Sequence, residues 1–246
     1  MQQIFVNEEP IEGRFTVTGD DMHHLVRVVR IKKGEIIRVS TAAGNNYLCA
    51  VSDILDKELL VDVNEQVNST ELSNKIYLFQ AIPKGDKMET IIEKTVELGV
   101  YEIIPVQMKN CIVKLDDKKK KNKLSRYQTV ALTAAKQSKR SIVPAIHDVL
   151  SFKEAMEYAA NLDLLLLPYE SKNGMKDTYD VINGLQKGQS VGIFIGPEGG
   201  FDESEIELVK DKCKLISLGR RILRTETAAI CSLSMLMLKS EELELQ

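Results

Sequence analysis

Two segments of the sequence combine glycine or arginine with the end of a short apolar run, and both have the composition of a ligand-binding loop. The first is Gly196–Phe201, which reads GPEGGF and directly follows the apolar run Val191–Ile195. Glycine lets a ligand approach the backbone closely and leaves amide N–H groups open as donors. Its spacing matches neither GxGxxG nor the phosphate loop, which needs a following Lys-Ser or Lys-Thr. The alternative interpretation is a tight turn before a helix that begins near Asp202.

The second segment is Leu218–Ala228, which reads LGRRILRTETA. Its three arginines surround an apolar Ile-Leu pair and stand just before a predicted helix, whose N-terminus favours anionic or electron-rich groups. Thr225 or Thr227 can cap that helix, and Glu226 suits its first turn. The alternative interpretation is helix capping combined with ordinary surface arginines, although a surface turn seldom needs an apolar pair between its charges.

The elements that position these loops alternate between strands and helices from Lys75 onward. Short continuous apolar runs predict buried strands, and the segments between them predict helices that cover a mostly parallel sheet. Ligands bind beyond the carboxyl ends of such strands. Both loops, and a less distinctive exit at Leu166–Glu170, are therefore candidate sites. The predicted strands are Ile76–Ile82, Tyr101–Gln107, Leu162–Leu167, Val191–Ile195 and Lys214–Leu218.

Three helix starts are predicted from a capping residue followed three positions later by Glu, the pattern of a capping box. They are Asp86 with Glu89, Ser151 with Glu154, and Asp202 with Glu205. A basic helix is predicted over residues 122–138, and an apolar helix over residues 227–239.

The first 66 residues have a different pattern, in which apolar and polar side chains alternate with the period of a half-buried strand. Strands are predicted over Glu35–Ser40, Tyr47–Ile54 and Leu59–Val63, with one short helix capped by Asp20 or Asp21. The pattern predicts a small barrel with a helical insertion. The polar segment Asn64–Asn74 is the predicted linker to the rest of the chain.

Composition limits the class of protein. The longest apolar runs are too short to span a bilayer, and the N-terminus lacks a signal-peptide pattern, so we expect a cytoplasmic protein without a membrane partner. Four scattered cysteines and three histidines predict reduced thiols and no metal site.

The net charge is −3, yet residues 109–140 carry eleven Lys or Arg against two Asp. Such a basic segment is compatible with nucleic acid binding, or with a solvated loop at Lys118–Lys121.

Taken together, these segments resemble the small-subunit rRNA uridine methyltransferase family RsmE. The match rests on Gly196–Phe201 and Leu218–Ala228, and it extends to Lys84–Glu89 with Lys94–Val100, to Gln137–Arg140 with Pro144, and to His23–Glu35. These stretches follow one another in order over nearly the whole chain.

The resemblance implies an α/β fold in two domains. Residues 1–70 would form a PUA-like β-barrel that binds RNA, and residues 71–246 a SPOUT methyltransferase domain with a C-terminal trefoil knot, a rare exception to the rule against threaded chains. It also implies a homodimer that uses S-adenosylmethionine to methylate N3 of a uridine in 16S rRNA, within the small ribosomal subunit.

The resemblance places the cofactor, and the chemistry of the expected reaction suggests the other roles. Arg221, Arg224 and Glu226 would be catalytic: the arginines would stabilise an anionic base, and Glu226 would serve as general base or only as a helix N-terminal residue. The residues that would bind the cofactor are Leu166, Leu167, Pro168, Ile195, Gly196, Pro197, Glu198, Gly199, Gly200, Leu218, Gly219, Ile222, Leu223 and Thr225.

RNA would be held by seven polar and basic residues, mainly through phosphate contacts that position the substrate. They are His23, His24, Arg27, Arg30, Lys84, Gln137 and Arg140. The two histidines are equally compatible with ordinary, partly buried positions. One departure from the family pattern is Lys136, which stands where an acidic residue is expected before Gln137.

Two other functions stay open from the sequence. An RNA-binding module that has lost catalysis would account equally well for the basic segments, but not for the intact Gly196–Phe201 and Leu218–Ala228 loops. An enzyme that uses a nucleotide cofactor is disfavoured because the phosphate-loop lysine is missing.

Overall fold

The computed structural model describes residues 1–114, 117–169 and 174–245. The chain divides into two compact units. The first comprises Met1–Glu71 together with Ala135–Val143, and the second comprises Leu72–Ala134 together with Pro144–Gln246.

The first unit is a five-stranded sheet that curls into a half-barrel around its own core. The strands lie in the order β1-β3-β4-β5-β2, with β1 and β3 parallel and the other pairs antiparallel. Alternate residues such as Ile37 and Val39 point into the core, where Leu25 joins them from a π-helix, His24–Val29, that follows helix α1. The bounds are β1 Gln2–Val6, β2 Arg14–Val17, α1 Gly19–His23, β3 Ile36–Thr41, β4 Asn46–Ile54 and β5 Leu59–Val67.

Strand β5 extends beyond the end predicted from the sequence. It continues to Val67, so the polar segment predicted as a linker from Asn64 begins as a strand. The prediction was wrong there because ladder pairing with β4, in which Asn46 lies opposite Val67, overrides the low strand propensity of Asn and Glu.

The second unit is a parallel sheet covered by helices. Its strands lie in the order β12-β10-β11-β6-β7-β8, and β9 also pairs with β7. The bounds are β6 Lys75–Ala81, α2 Lys87–Glu97, β7 Glu102–Gln107, α3 Asp117–Ser138, β8 Ala145–Ile146, β9 Leu150–Ser151, α4 Phe152–Ala159, β10 Leu164–Pro168, α5 Lys176–Asn183, β11 Ser190–Ile195, α6 Glu203–Val209, β12 Lys214–Ile216 and α7 Thr225–Glu244.

The apolar runs that predicted strands are the centre of this sheet. Phe79 of β6 and Phe194 of β11 stack with ring centroids 4.3 Å apart, and both are fully buried. Burying side chains of this size supplies roughly 1.5–3 kcal/mol each. Strands buried on both faces explain why the sequence shows continuous apolar runs rather than alternation.

Two of the three predicted capping boxes are confirmed. Ser151 and Glu154 cap α4, and Asp202 and Glu205 cap α6. At α2 the helix begins after Asp86 as predicted, but the predicted capping box does not form. Within the described part of the chain the Asp86 side chain makes no capping hydrogen bond, while the Glu89 carboxylate accepts hydrogen bonds of 2.5 and 2.8 Å from Arg126.

Among the residues that the structure describes, no helix is both long enough and apolar enough to cross a membrane.

Candidate active site

Three neighbouring strands of the second unit end at the same edge of its sheet, and two cavities open there. β10 ends at Pro168, β11 at Ile195 and β12 at Ile216, and the three run parallel. The larger cavity has a volume of about 620 Å³ and the smaller about 500 Å³. The cavities adjoin, since five residues line both: Pro168, Tyr169, Ile222, Leu223 and Ala228.

The larger cavity lies at the exits of β10 and β12, and the smaller lies at the exits of β10 and β11. The further lining of the larger cavity is Gly174, Met175, Ser217, Leu218, Gly219, Arg220 and Arg221. The further lining of the smaller cavity is Lys87, Ile195, Gly196, Pro197, Glu198, Gly200, Phe201, Arg224 and Thr225. The two segments singled out in the sequence therefore meet at one place in the fold.

Close packing around glycines shapes the loop that follows β11. A Cβ on Gly196 would lie 2.9 Å from a ring carbon of Phe201, and one on Gly199 would lie 3.1 Å from Cβ of Asn110. Gly200 has φ +71°, in the left-handed region that favours glycine. A Cβ at position 196 would displace Phe201 and one at position 199 would displace Asn110, while a side chain at position 200 would strain the backbone, so the glycines set the path of the loop.

The loop that follows β12 is anchored at its start and exposed at its centre. The backbone N–H of Ser217 donates to Oγ1 of Thr178 on α5 (2.8 Å), and that hydroxyl donates to the Ser217 carbonyl (2.9 Å). Gly219 then turns the chain with φ +105°. Ile222 is 91% exposed between the arginines, so the loop presents an apolar side chain at the mouth of both cavities.

Thr225 joins the two loops. Its hydroxyl donates to the carbonyl of Gly196 (2.9 Å) and accepts a hydrogen bond from Nε2 of Gln80 on β6 (2.9 Å). The residue is 6% exposed. The prediction that Thr225 or Thr227 caps α7 was wrong, because Arg224 is the N-cap residue. Among the described residues, the Arg224 side chain makes no capping hydrogen bond.

Lys87, the first residue of α2, lies between two carboxylates at the smaller cavity. Its Nζ is 3.1 Å from Oε1 of Glu198 and 3.3 Å from Oε2 of Glu226. The hydrogen bond to Glu198 is the main cause that raises the pKa of Lys87. Burial alone would raise the pKa of Glu198, but hydrogen bonds from its own amide, from Lys87 and from the backbone N–H of Lys84 hold it below its ordinary value.

Most residues predicted for cofactor binding or catalysis line a cavity, and four lie beside the walls. Leu166 and Leu167 are fully buried in β10, Gly199 packs on Asn110, and Glu226 pairs with Lys87. The thirteen lining residues are Pro168, Ile195, Gly196, Pro197, Glu198, Gly200, Leu218, Gly219, Arg221, Ile222, Leu223, Arg224 and Thr225.

Eight residues that line the cavities were not predicted as site residues: Lys87, Tyr169, Gly174, Met175, Phe201, Ser217, Arg220 and Ala228. Tyr169 and Phe201 adjoin predicted residues, so the exits of β10 and β11 were the signal available for them. Lys87 belongs to the Lys84–Glu89 stretch that carries the resemblance, but no local signal indicates its role, because its partners are 111 and 139 positions away in the sequence.

The residues predicted to bind RNA fall into two groups. The exposed group is His23, His24, Arg27, Arg30, Lys84 and Gln137. Arg140 differs, since it is 3% exposed and its guanidinium bonds the Glu71 carboxylate within the first unit. Glu71 also accepts the backbone N–H of Ser141 (2.8 Å). In this conformation Arg140 fixes the fold of the first unit, a role that the sequence did not predict.

Lys136, the departure from the family pattern, pairs with Asp21 at 2.7 Å. In this chain an acid at position 136 would face that carboxylate, so Lys136 replaces a like-charge contact with an ion pair within the first unit.

Three of the four thiols are buried, and the fourth, Cys231, is partly exposed. Cys49, Cys111 and Cys213 are buried and free, and burial raises the pKa of Cys49 and Cys213 to about 12. Within residues 1–114, 117–169 and 174–245, no group of three or more His, Cys, Asp or Glu side chains is arranged to hold a metal ion.

Comparison with known families defines the class of this protein. Residues 70–237 match the family model described as an RNA methyltransferase domain, and residues 17–63 match the RNA methyltransferase PUA domain. A chain with the first domain over most of its length and cavities at the strand ends is an RNA methyltransferase.

Similarity to individual relatives identifies the family within this class. The chain is 38% identical to the ribosomal RNA small subunit methyltransferase E of Bacillus subtilis, with 98% of each chain covered. It is 29% identical to a Legionella pneumophila methyltransferase solved with bound S-adenosylmethionine (TM-score 0.82, 96% of each chain). The corresponding Neisseria gonorrhoeae enzyme, also solved with S-adenosylmethionine, is 26% identical (TM-score 0.79, 95% of this chain and 96% of that one). The chain belongs to the ribosomal RNA small subunit methyltransferase E family, which confirms the resemblance inferred from its sequence.

Proposed function

We propose that this protein uses S-adenosylmethionine to methylate N3 of a specific uridine in 16S ribosomal RNA. The observation that carries the proposal is the meeting of the Gly196–Phe201 and Leu218–Ala228 loops around two adjoining cavities at one sheet edge. Family membership supports the same reaction.

The cavities suit a nucleoside-sized methyl donor. Their volumes of about 620 and 500 Å³ lie within the range of roughly 300–1,000 Å³ typical of small-molecule sites. We assign the cofactor to backbone groups at Pro168, Gly196 and Leu218, with Ile222 and Leu223 as apolar walls. Bound there, S-adenosylmethionine would supply an activated methyl group.

The remaining task of the protein is to stabilise the uracil ring as N3 gains a methyl group and loses its proton. Arg221 lines the larger cavity and Arg224 the smaller. Guanidinium groups placed at a developing negative charge lower the barrier electrostatically. We keep Glu226 as the candidate base. The alternative is a structural role, because its Oε2 lies 3.3 Å from Nζ of Lys87.

We assign RNA binding to the exposed residues around α1 and the π-helix, namely His23, His24, Arg27 and Arg30, together with Lys84 and Gln137. Phosphate contacts of this kind position the substrate without specifying its sequence. Arg140 is kept as an RNA-binding candidate on the family pattern alone, because its guanidinium is paired with the Glu71 carboxylate. The substrate we propose is 16S rRNA within the small ribosomal subunit, in the cytoplasm.

Three further features are proposed on the strength of the resemblance. We infer an RNA-binding domain over residues 1–70, a trefoil knot within the domain of residues 71–246, and a homodimer. The strand order β12-β10-β11 supports the knot, because the chain leaves β11 and returns to the far side of β10. Exposed apolar side chains on α5, α7 and the loop before α7 support a dimer, and they are Tyr179, Leu238 and Ile222.

Mass spectrometry of 16S rRNA nucleosides tests the function directly. RNA from cells without this protein should lack one N3-methyluridine, and the purified protein with S-adenosylmethionine should restore it. Arg224→Ala should abolish the methylation and largely spare RNA affinity. Calorimetry that detects no cofactor binding would contradict the assignment, and wild-type protein that binds RNA without methylating it would favour an RNA-binding module.

A further inference from the structure

Lys87 occupies a position that helix electrostatics disfavour. It is the first residue of α2, and the N-terminus of a helix carries partial positive charge, so a lysine there is normally unfavourable. Two carboxylates offset this charge, Glu198 at 3.1 Å and Glu226 at 3.3 Å. The lysine therefore depends on partners that belong to other elements.

The three side chains join three separate parts of the second unit. Lys87 belongs to α2, Glu198 to the loop after β11, and Glu226 to the first turn of α7. Glu198 also accepts the backbone N–H of Lys84 at 3.2 Å, from the loop before α2. Lys87 and Glu198 both line the smaller cavity with Arg224, so two of the three side chains are part of its wall and Glu226 lies behind them.

Without Lys87, two carboxylates would face each other across the wall without their shared cation. The three side chains are 32%, 26% and 20% exposed, so solvent screens their interaction only in part. Repulsion between like charges would then separate the loop after β11 from the start of α7. Those are the two elements that the Thr225 hydroxyl also joins, through Gly196.

We propose that Lys87 is a positioning residue for methyl transfer: by bridging Glu198 and Glu226 it holds the Gly196–Phe201 loop against α7 and sets the width of the smaller cavity. This inference rests on the proposed function and gives Lys87 a role that the sequence did not reveal. Lys87 acts through the two carboxylates, so its effect should depend on their charge.

The test compares four variants in the full-length protein: Lys87→Met, Lys87→Arg, Lys87→Met with Glu198→Gln, and Lys94→Met. Lys94 is the matched control, because it also pairs with two glutamates on α2, at 2.8 and 2.9 Å, but it is not among the residues that line the described cavities. Steady-state methylation of undermethylated small subunits gives kcat and KM. Hydrogen exchange of the backbone amides of residues 196–201 reports how firmly this loop is held, independently of activity.

Misplacing reacting groups by about 1 Å can cost about 100-fold in rate, and this is the fall in kcat expected for Lys87→Met. Hydrogen exchange in residues 196–201 should rise in the same variant and stay unchanged in Lys94→Met. Lys87→Arg, which keeps the cation, should stay within about tenfold of wild type. Neutralising Glu198 in the Lys87→Met background should recover about tenfold, because the like-charge conflict is removed.

The proposal is overturned if Lys87→Met matches Lys94→Met in both kcat and hydrogen exchange. It is also overturned if the loss lies wholly in KM for RNA and the Glu198→Gln change recovers nothing, since Lys87 would then contact the substrate directly. If wild-type protein does not methylate ribosomal subunits, the proposed function fails. Hydrogen exchange would still decide whether Lys87 holds the wall.

Discussion

Replacing Thr225 by Val tests whether one hydroxyl holds the two loops of the active site together. Valine keeps the shape of the side chain but loses the bonds to the Gly196 carbonyl and to Nε2 of Gln80, each 2.9 Å long. Nε2 of Gln80 keeps its bond to the Ala81 carbonyl (3.0 Å), and Gly196 is partly exposed. Neither partner is therefore left without a hydrogen bond. The loss of stability should be that of two ordinary hydrogen bonds, about 2 kcal/mol.

Thr225→Ser is the matched control, because serine retains the hydroxyl and removes only a buried methyl group, at a cost of about 1 kcal/mol. For a chain of this size 1 kcal/mol corresponds to about 2–4 °C in Tm. Thr225→Val should therefore melt about 4–8 °C below wild type by circular dichroism, with Thr225→Ser between them. Calorimetry should show weaker S-adenosylmethionine binding by the Val variant alone. A serine variant less stable than the valine variant would refute this reasoning.

Three other substitutions have expected outcomes. Gly196→Ala should weaken cofactor binding measured by calorimetry, because the new Cβ would lie 2.9 Å from the Phe201 ring; Phe201→Leu in the same chain should restore part of the affinity. Arg140→Met should destabilise the chain to urea by about 3 kcal/mol, since it leaves the Glu71 carboxylate without its cation; loss of RNA affinity at unchanged stability would instead show a phosphate contact. Asp202→Asn should remove a pH dependence of stability. Hydrogen bonds from the Ser204 side chain, then from Lys109, lower the pKa of Asp202 from 3.8 to about 2. Its contribution is therefore complete above about pH 4 and lost as pH falls through about 2, which acid unfolding monitored by circular dichroism measures.

Elements whose signals lie within a few residues could be predicted from the sequence. The capping boxes at Ser151 and Asp202 formed as expected, because in each the partner is only three residues away. The central strands were found because a strand buried on both faces has to be apolar throughout. The two-residue strands β8 and β9 were missed, since they are too short to show a period.

The errors share a physical cause, which is competition from a distant partner. Glu89 has the spacing of a capping residue, but Arg126 offers its carboxylate two hydrogen bonds in a bidentate ion pair, whereas a capping box would offer it one. Thr225 stands at a plausible cap position, but its hydroxyl is used by Gln80 and Gly196, 145 and 29 positions away. Local spacing identifies a possible partner and gives no information about a better one elsewhere.

The two loops at this sheet edge are also held by partners that are distant in the sequence, so activity should depend on how firmly those partners hold them. The loop after β12 is fixed by Thr178 through Ser217, and the loop after β11 is fixed by Thr225 and Lys87. Each of these contacts joins elements that follow different strands, so each depends on the pairing of strands that are far apart in the sequence. Glycines supply the freedom that lets the loops take these paths, and these contacts remove that freedom in the folded protein. A substitution that loosens any one contact should therefore weaken cofactor binding before it unfolds the sheet.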